Sequence, residues 1–150
     1  MIVTTTLHRK RSVVRVEDGV RLVVERAPRE RRTTAQLLEA SLRDQARDRI
    51  GERLGRRAVD MDLEVERLRI GDQRTRWGSA SRSGTLSFTW RLIMAPPRIL
   101  DYVVVHELAH LMVSGHGPRF WQLVERHYPE VAEARRWLRD HHDELRHALD

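Results

Sequence analysis

Hydrophobic and polar positions alternate on both sides of a turn signal near the N-terminus. In the stretch "SVVRVEDGVRLVVER" the apolar side chains recur largely at every second position, which is the period of a half-buried strand. The "EDG" between the two halves is typical of a tight turn. The pattern therefore predicts a β-hairpin with strands at Ser12–Val16 and Val20–Glu25.

The spacing of the apolar positions then changes to that of a helix. After a charged connector, Ala27–Arg32, Thr33 stands three residues before Gln36, the spacing of a capping box. Apolar side chains follow at steps of three or four and form one face: Ala35, Leu38, Leu42, Ala46, Ile50 and Leu54. These signals predict a long helix over Thr34–Arg57.

Alternation returns in the middle of the chain. Leu63–Ile70 reads as one strand, and "TRWGSAS" and "TLSFTWRLI" flank a turn at Ser83-Gly84 and read as a second hairpin. Pro96 and Pro97 then interrupt the pattern and favour a helix start, because the first helical turn tolerates a missing N–H.

Three helices are predicted for the rest. The first, Arg98–Met112, is strongly apolar and ends before Gly115; the second starts at Pro118, and the third covers Glu130–Leu149. The order of hairpin, helix, three strands and three helices indicates an α+β fold with segregated elements. A length of 150 residues fits a single domain, 1–150.

The composition limits the possible metal ligands and the expected location of the protein. The chain has no cysteine, so a transition metal would need histidine and carboxylate ligands. No apolar run approaches the roughly 20 residues that span a bilayer, and the N-terminus lacks the apolar core of a signal peptide. We therefore expect no membrane partner and a cytoplasmic location.

The net charge of +6 is unevenly distributed, and Lys10 is the only lysine. Residues 1–60 carry 15 basic and 9 acidic side chains, whereas residues 105–150 carry 6 and 8. A basic N-terminal part could attract a nucleic acid or a nucleotide. Its arginines alternate with acids at helical spacing, however, which is equally typical of an ordinary solvated surface.

The segment "VVVHELAHLM" carries the candidate chemistry. His106 and His110 are four residues apart and share one helix face, so both can bind one metal ion. Glu107 is rotated by about 100° from His106 and fits the general base of an H-E-x-x-H site. Burying these groups unpaired in so apolar a helix would cost several kcal/mol, which a bound metal avoids.

A catalytic zinc site takes three protein ligands and keeps the fourth position open. His116 is the candidate for the third ligand, because Gly115 lets the chain turn back towards the first two. Carboxylates of the following helices, Glu125, Glu130 or Glu133, are alternatives. His127 could also face the site, and Arg119 and His127 are candidate oxyanion donors.

The run from Arg74 to Trp137 resembles the YgjP-like zinc metallopeptidase domain of the zincin superfamily. The shared motifs are Arg76–Ser81 (R-W-G-S-x-S), Trp90–Leu92 (W-R-L), Ala95–Pro97 (A-P-P), Tyr102–His110, His116 and Phe120-Trp121. Ala80 and Ala109 stand where the family often has cysteine, and neither position is a ligand. The metzincin pattern, which has similar spacing, does not apply because Val113 replaces its required glycine.

The resemblance implies a zincin-like fold, with a small antiparallel or mixed sheet packed on the active-site helix. It also implies a Zn²⁺ cofactor on His106, His110 and His116, and Glu107 as the catalytic glutamate. We therefore predict a zinc metallopeptidase in which Glu107 is the general base for a zinc-activated water. Its partner would be a peptide or protein that adds as a strand to Gly84–Trp90, the expected sheet edge.

Two other functions stay open at this point. One is a nucleotide (UTP-type) pyrophosphatase, and the other is a DNA-associated zincin protease or binding module. Arg76 and Arg91 could hold a substrate carboxylate or phosphate, although surface ion pairs are the commoner role. Trp77 and Trp90 are interpreted as core residues.

Overall fold

The computed structural model describes residues 2–6, 11–17 and 21–150. They fall into two compact units, essentially residues 1–44 and residues 45–148. The structure mixes small sheets with helices, as the sequence predicts. The single domain predicted for residues 1–150 stays a prediction.

The first unit contains a three-stranded sheet: β1 (Ile2–Thr6), β2 (Val13–Glu17) and β3 (Arg21–Arg26). Strand β3 is central, with β2 antiparallel and β1 parallel to it. The predicted hairpin is therefore present, although its turn, residues 18–20, lies outside the described residues. Strand β1 was not predicted, because its polar threonines give little hydrophobic signal.

Helix α1 covers Thr34–Asp60, three residues more than predicted. Its start has the predicted capping box: the Thr33 N–H donates to Gln36 Oε1 (2.8 Å), and the Gln36 N–H donates to Thr33 Oγ1 (3.2 Å). These bonds satisfy two backbone donors that have no partner within the helix. Near this end Leu37 and Leu38 form a small buried core with Val24.

The second unit holds the strands β4 (Arg67–Gly71), β5 (Gly78–Ala80) and β6 (Thr85–Thr89). Their order is β4-β6-β5, with β4 parallel and β5 antiparallel to β6. The prediction that Gly84–Trp90 is an edge strand is therefore wrong. Strand β6 is central, which explains its fully buried Leu86 and Phe88, and β5 is an edge.

A short 3₁₀ helix, Trp90–Met94, and four α-helices follow: α2 (Pro97–Met112), α3 (Pro118–His127), α4 (Val131–Asp140) and α5 (His142–Arg146). The single C-terminal helix predicted for Glu130–Leu149 is broken at His141, whose backbone leaves helical geometry (φ −107°, ψ 9°). Among the described residues, no helix is both long enough and apolar enough to cross a bilayer. The cytoplasmic location stays a prediction.

Helix α2 lies in the second unit and is held by a partly buried ion pair. The Arg57 Nε–H of α1 donates to Asp101 Oδ1 of α2 (2.9 Å), and Arg57 Nη1 donates to the carbonyl oxygen of His127 (3.1 Å). One guanidinium thus joins α1, α2 and the end of α3. A paired carboxylate is what a largely apolar helix can bury at acceptable cost.

Arg91 fixes the C-terminal segment rather than a substrate. Its side chain is 3% exposed, and its Nε–H donates to Asp72 Oδ1 (2.8 Å). Its Nη1 donates to the carbonyl oxygens of Leu145 (3.0 Å) and Ala148 (2.8 Å). The reading of Arg91 as a substrate-binding residue is therefore wrong, because its hydrogen bonds serve to hold α5 in place. Trp90 is fully buried, as predicted.

Candidate metal centre

Three histidine side chains converge beside α2. His106 and His110 project from one face of this helix, and His116 returns from the turn that follows it. His116 Nε2 lies 3.3 Å from His106 Nε2 and 3.1 Å from His110 Nε2. Gly115 makes the return possible with φ +74°, a left-handed conformation that glycine adopts without strain.

Within the described chain, these three residues form the candidate metal-binding group, with ligand atoms within 4.8 Å of one another. The carboxylates weighed against His116 do not join it. Glu125, Glu130 and Glu133 are all exposed, and Glu133 lies 3.5 Å from Arg98. The geometry thus brings together the predicted ligand set, whose role as zinc ligands stays a prediction.

The other ring nitrogens are oriented by hydrogen bonds. His110 Nδ1 lies 3.3 Å from the carbonyl oxygen of Val113, and His106 Nδ1 lies 3.3 Å from the hydroxyl of Tyr102. A carbonyl only accepts, so His110 carries its proton on Nδ1 and leaves the Nε2 lone pair free. Hydrogen bonds of this kind set the tautomer and ring direction of metal-binding histidines.

The surroundings favour the neutral form of the two imidazoles on α2, those of His106 and His110. Burial, supported by the neighbouring cationic groups, lowers the pKa of His106 to about 3. Burial likewise lowers the pKa of His110, although its bond to Val113 opposes this. Neutral imidazole is the form that binds a metal ion, so these two candidate ligands do not first have to lose a proton.

Phe120 of α3 forms the base of the cluster. Its ring is fully buried and stacks on His110, with centroids 4.3 Å apart and planes at 19°. It meets His106 edge-on at 4.9 Å. The first turn of α3 therefore restricts the rotamers of both helix-borne imidazoles, which a tight metal site requires.

Glu107 lies next to the cluster and packs against strand β5. It is 7% exposed. A Cβ atom at Gly78 would come within 2.9 Å of Glu107 Cγ and 3.0 Å of the Ser87 carbonyl oxygen. Gly78 thus leaves the space in which the Glu107 side chain lies, and any larger residue would displace it.

Burial raises the pKa of Glu107 to about 7, while the charge of Arg76 opposes the shift. A divalent cation on the adjacent imidazoles would also favour the carboxylate. A carboxyl group with a pKa near neutrality can both accept and return a proton at working pH, as a general base requires.

We expect Gly78→Ala to reduce catalytic turnover without removing the metal site. The added methyl group would push Glu107 aside, and a displacement of about 1 Å can cost on the order of 10²-fold in rate. The check is kcat together with zinc content. Gly55→Ala is the matched control, because nothing lies within 4 Å of its Cβ position. Unchanged kcat in Gly78→Ala would contradict the inference that Gly78 leaves the space that Glu107 needs.

The cluster opens into a cleft of about 1040 Å³, here named the histidine cleft. Its walls come from residues 75–82 around β5, from α2, from residues 114–116, and from α4 and α5. Trp77 lines it, so this residue is not simply a core residue. The lining includes neither Arg119 nor His127, which leaves both oxyanion candidates without structural support.

His142 also lines the cleft. Its ring meets Trp77 edge-on at 5.8 Å, and its Nδ1 lies 3.1 Å from Asp143 Oδ1. Sequence reasoning missed it because the polar run "RDHHDEL" carries no sign of a break between α4 and α5. The sequence could have indicated that Tyr102 contacts His106, since Tyr102 lies four residues before His106 on the same helix.

The sequence matches the YgjP-like metallopeptidase domain over residues 2–141. Similar solved structures include the zymogens of the metallopeptidases abylysin from Pyrococcus abyssi and jannalysin from Methanocaldococcus jannaschii. Their sequence identities are 22% and 18%, each with a TM-score of 0.55. The matches cover 61% of this chain and 93% and 94% of the two zymogen chains.

At this level of identity the structural likeness speaks for the fold alone, and the predicted zincin-like α+β fold is confirmed. No curated protein sequence matches the chain significantly.

Proposed function

The chain belongs to the YgjP-like metallopeptidase family, and we propose that it is a zinc-dependent peptidase. The observation that carries the proposal is the convergence of His106, His110 and His116 on one point, with the buried carboxyl group of Glu107 beside them. The family supports a metallopeptidase; zinc and the individual roles are part of the proposal.

The donor set fits zinc. Three imidazole nitrogens are a known ligand set for catalytic zinc, and the absence of cysteine rules out thiolate ligands. When bound, zinc would supply a Lewis acid that polarises the scissile carbonyl and lowers the pKa of water. His106, His110 and His116 would hold it, with Tyr102 and the Val113 carbonyl orienting the first two rings.

Glu107 would carry the proton transfers. Its carboxylate accepts a proton from the attacking water and returns it to the amine that leaves when the peptide bond breaks. The packing of its side chain on Gly78 holds it on the strand side of the cluster. Its burial restricts bulk water around the carboxylate and keeps its basicity near neutral pH.

Strand β5 would position the substrate. It is an edge of its sheet, and its three residues, Gly78, Ser79 and Ala80, line the histidine cleft. A peptide that adds to this edge gains main-chain hydrogen bonds and brings its scissile bond to the cluster. This replaces the earlier assignment of the substrate edge to Gly84–Trp90.

The test is peptide hydrolysis by the zinc-loaded protein, followed by mass spectrometry on a mixed peptide library, with UTP assayed in parallel. We expect cleavage of peptides that a zinc chelator abolishes and added zinc restores. Hydrolysis of UTP without cleavage of any peptide would contradict the proposal and favour the pyrophosphatase alternative. Binding of nucleic acid by the basic N-terminal part stays a prediction that no feature of the site supports.

A further inference from the structure

The charged side chains that line the histidine cleft are mainly cationic. They are four arginines, two carboxyl groups and one further histidine: Arg76, Arg82, Arg135, Arg139, Glu107, Asp143 and His142. Of the two carboxyl groups, Asp143 is hydrogen-bonded to His142, and Glu107 is buried against Gly78. Neither forms an ion pair with one of the four arginines.

Arginine is common throughout this chain, so its presence in the cleft alone decides nothing. The informative feature is their grouping: four arginines line the same cleft as the three histidines. Within the described part of the chain, no carboxylate forms an ion pair with Arg76, Arg82 or Arg135. Elsewhere some arginines are paired, as Arg43 is with Glu39 and Arg56 with Glu52, whereas others, such as Arg69 and Arg136, have no ion pair among the described residues.

The cationic groups reach the reacting centre from two elements. Arg76 precedes β5, and its charge acts on Glu107. Arg135 projects from α4, where its guanidinium lies 4.7 Å from the centroid of the Trp121 ring, and its charge acts on His106. The stacking on Trp121 gives the Arg135 guanidinium a defined position at the cleft.

The arginines are also arranged in two pairs along the walls. Arg76 and Arg82 lie before and after the edge strand β5. Arg135 and Arg139 are one turn apart on α4 and line the same cleft, where like charges at this spacing repel each other. The nearest acid to Arg139 is Asp140, 3.7 Å away with both side chains largely exposed. An anionic ligand in the cleft would relieve the repulsion.

We propose that the histidine cleft selects peptides with acidic side chains on both sides of the scissile bond. A strand added to β5 would pass Arg76 near one end and Arg82 near the other, while Arg135 and Arg139 face it from α4. The planar guanidinium matches a carboxylate with two parallel hydrogen bonds, which gives both affinity and orientation. This inference rests on the proposed peptidase activity.

The test uses one cleavable core sequence, identified in the library experiment, flanked by Glu, Gln or Lys residues. We expect kcat/KM to be highest for the Glu-flanked peptide and lowest for the Lys-flanked one. The preference should weaken as salt is added, because the arginines are exposed. UTP is assayed beside the peptides to compare an acidic peptide with an anion that is not a peptide.

Variants distinguish an effect of the cleft arginines on substrate preference from an effect of the protein's overall charge. We expect Arg135→Gln and Arg76→Gln each to lower kcat/KM for the Glu-flanked peptide by about tenfold, the value of one charge-assisted hydrogen bond. The loss for the Gln-flanked peptide should be clearly smaller than the loss for the Glu-flanked peptide, because only the latter offers a carboxylate to the missing guanidinium. Arg136→Gln, next on α4 but outside the cleft, and Arg69→Gln on β4 are the matched controls.

The charge reversal Arg135→Glu should shift the preference towards the Lys-flanked peptide. Equal hydrolysis of the three peptides, or equal losses in the cleft and control variants, would overturn the inference and leave the peptidase intact. Failure of the wild-type protein to cleave any peptide would overturn the peptidase and this inference together. Hydrolysis of UTP in preference to the Glu-flanked peptide would overturn the choice of an acidic peptide.

Discussion

Glu107→Gln is expected to abolish measurable peptide hydrolysis while zinc remains bound. The amide keeps the shape of the side chain in its buried position against Gly78. It cannot take a proton from water, and loss of a positioned general base typically costs 10²–10⁴-fold in rate. The measurements are kcat and the zinc content of the purified variant.

The control is Glu125→Gln, a change of the same chemistry at an exposed position on α3. It should leave both kcat and zinc content unchanged. If Glu107→Gln retained full activity, Glu107 could not be the base, and another group would have to accept the proton. If it lost zinc, Glu107 would be acting as a ligand rather than a base.

His116→Ala is expected to weaken zinc binding more than about 100-fold, because losing a residue that merely orients a ligand already costs 10–100-fold. The measurement is a zinc titration against a competing chromophoric chelator. Tyr102→Phe provides the graded comparison, since it removes only the hydroxyl group beside His106 Nδ1. We expect its affinity to lie between those of the wild type and His116→Ala.

The same titration distinguishes the alternatives for the third ligand. If Glu125, Glu130 or Glu133 held the metal, His116→Ala would keep its zinc and the corresponding Glu→Gln variant would lose it. The three Nε2 atoms lie together, whereas these carboxylates are exposed and outside the cluster. We therefore expect the histidine variant alone to lose zinc.

Local signals in the sequence predicted most of the elements. The capping box at Thr33 is formed with Gln36, three residues away, and the proline at the start of α2 needs no hydrogen-bond partner there, so both outcomes follow from short-range chemistry. The order of strands does not. Gly84–Trp90 was expected at the sheet edge, but β6 pairs with β4 across the intervening segment, and no local pattern encodes that choice.

The candidate site likewise combines features that local sequence signals predict with features that arise only on folding. His106 and His110 followed from helical spacing, and Gly115 marked the return of His116. The contact between Gly78 and Glu107 joins residues far apart in the chain and could not be derived from either alone. Similarly, counting charges placed the histidines in an acidic third, whereas folding brings Arg76 and Arg82 from an earlier segment to the same cleft.

The central claim is that one zinc ion, held by His106, His110 and His116, makes this chain a peptidase. The most direct test is to remove the metal and measure peptide hydrolysis as zinc is added back in known amounts. We predict that activity rises in proportion to zinc and reaches its maximum at one equivalent per chain. Hydrolysis by the metal-free protein, or no gain in activity on adding zinc, would contradict the account.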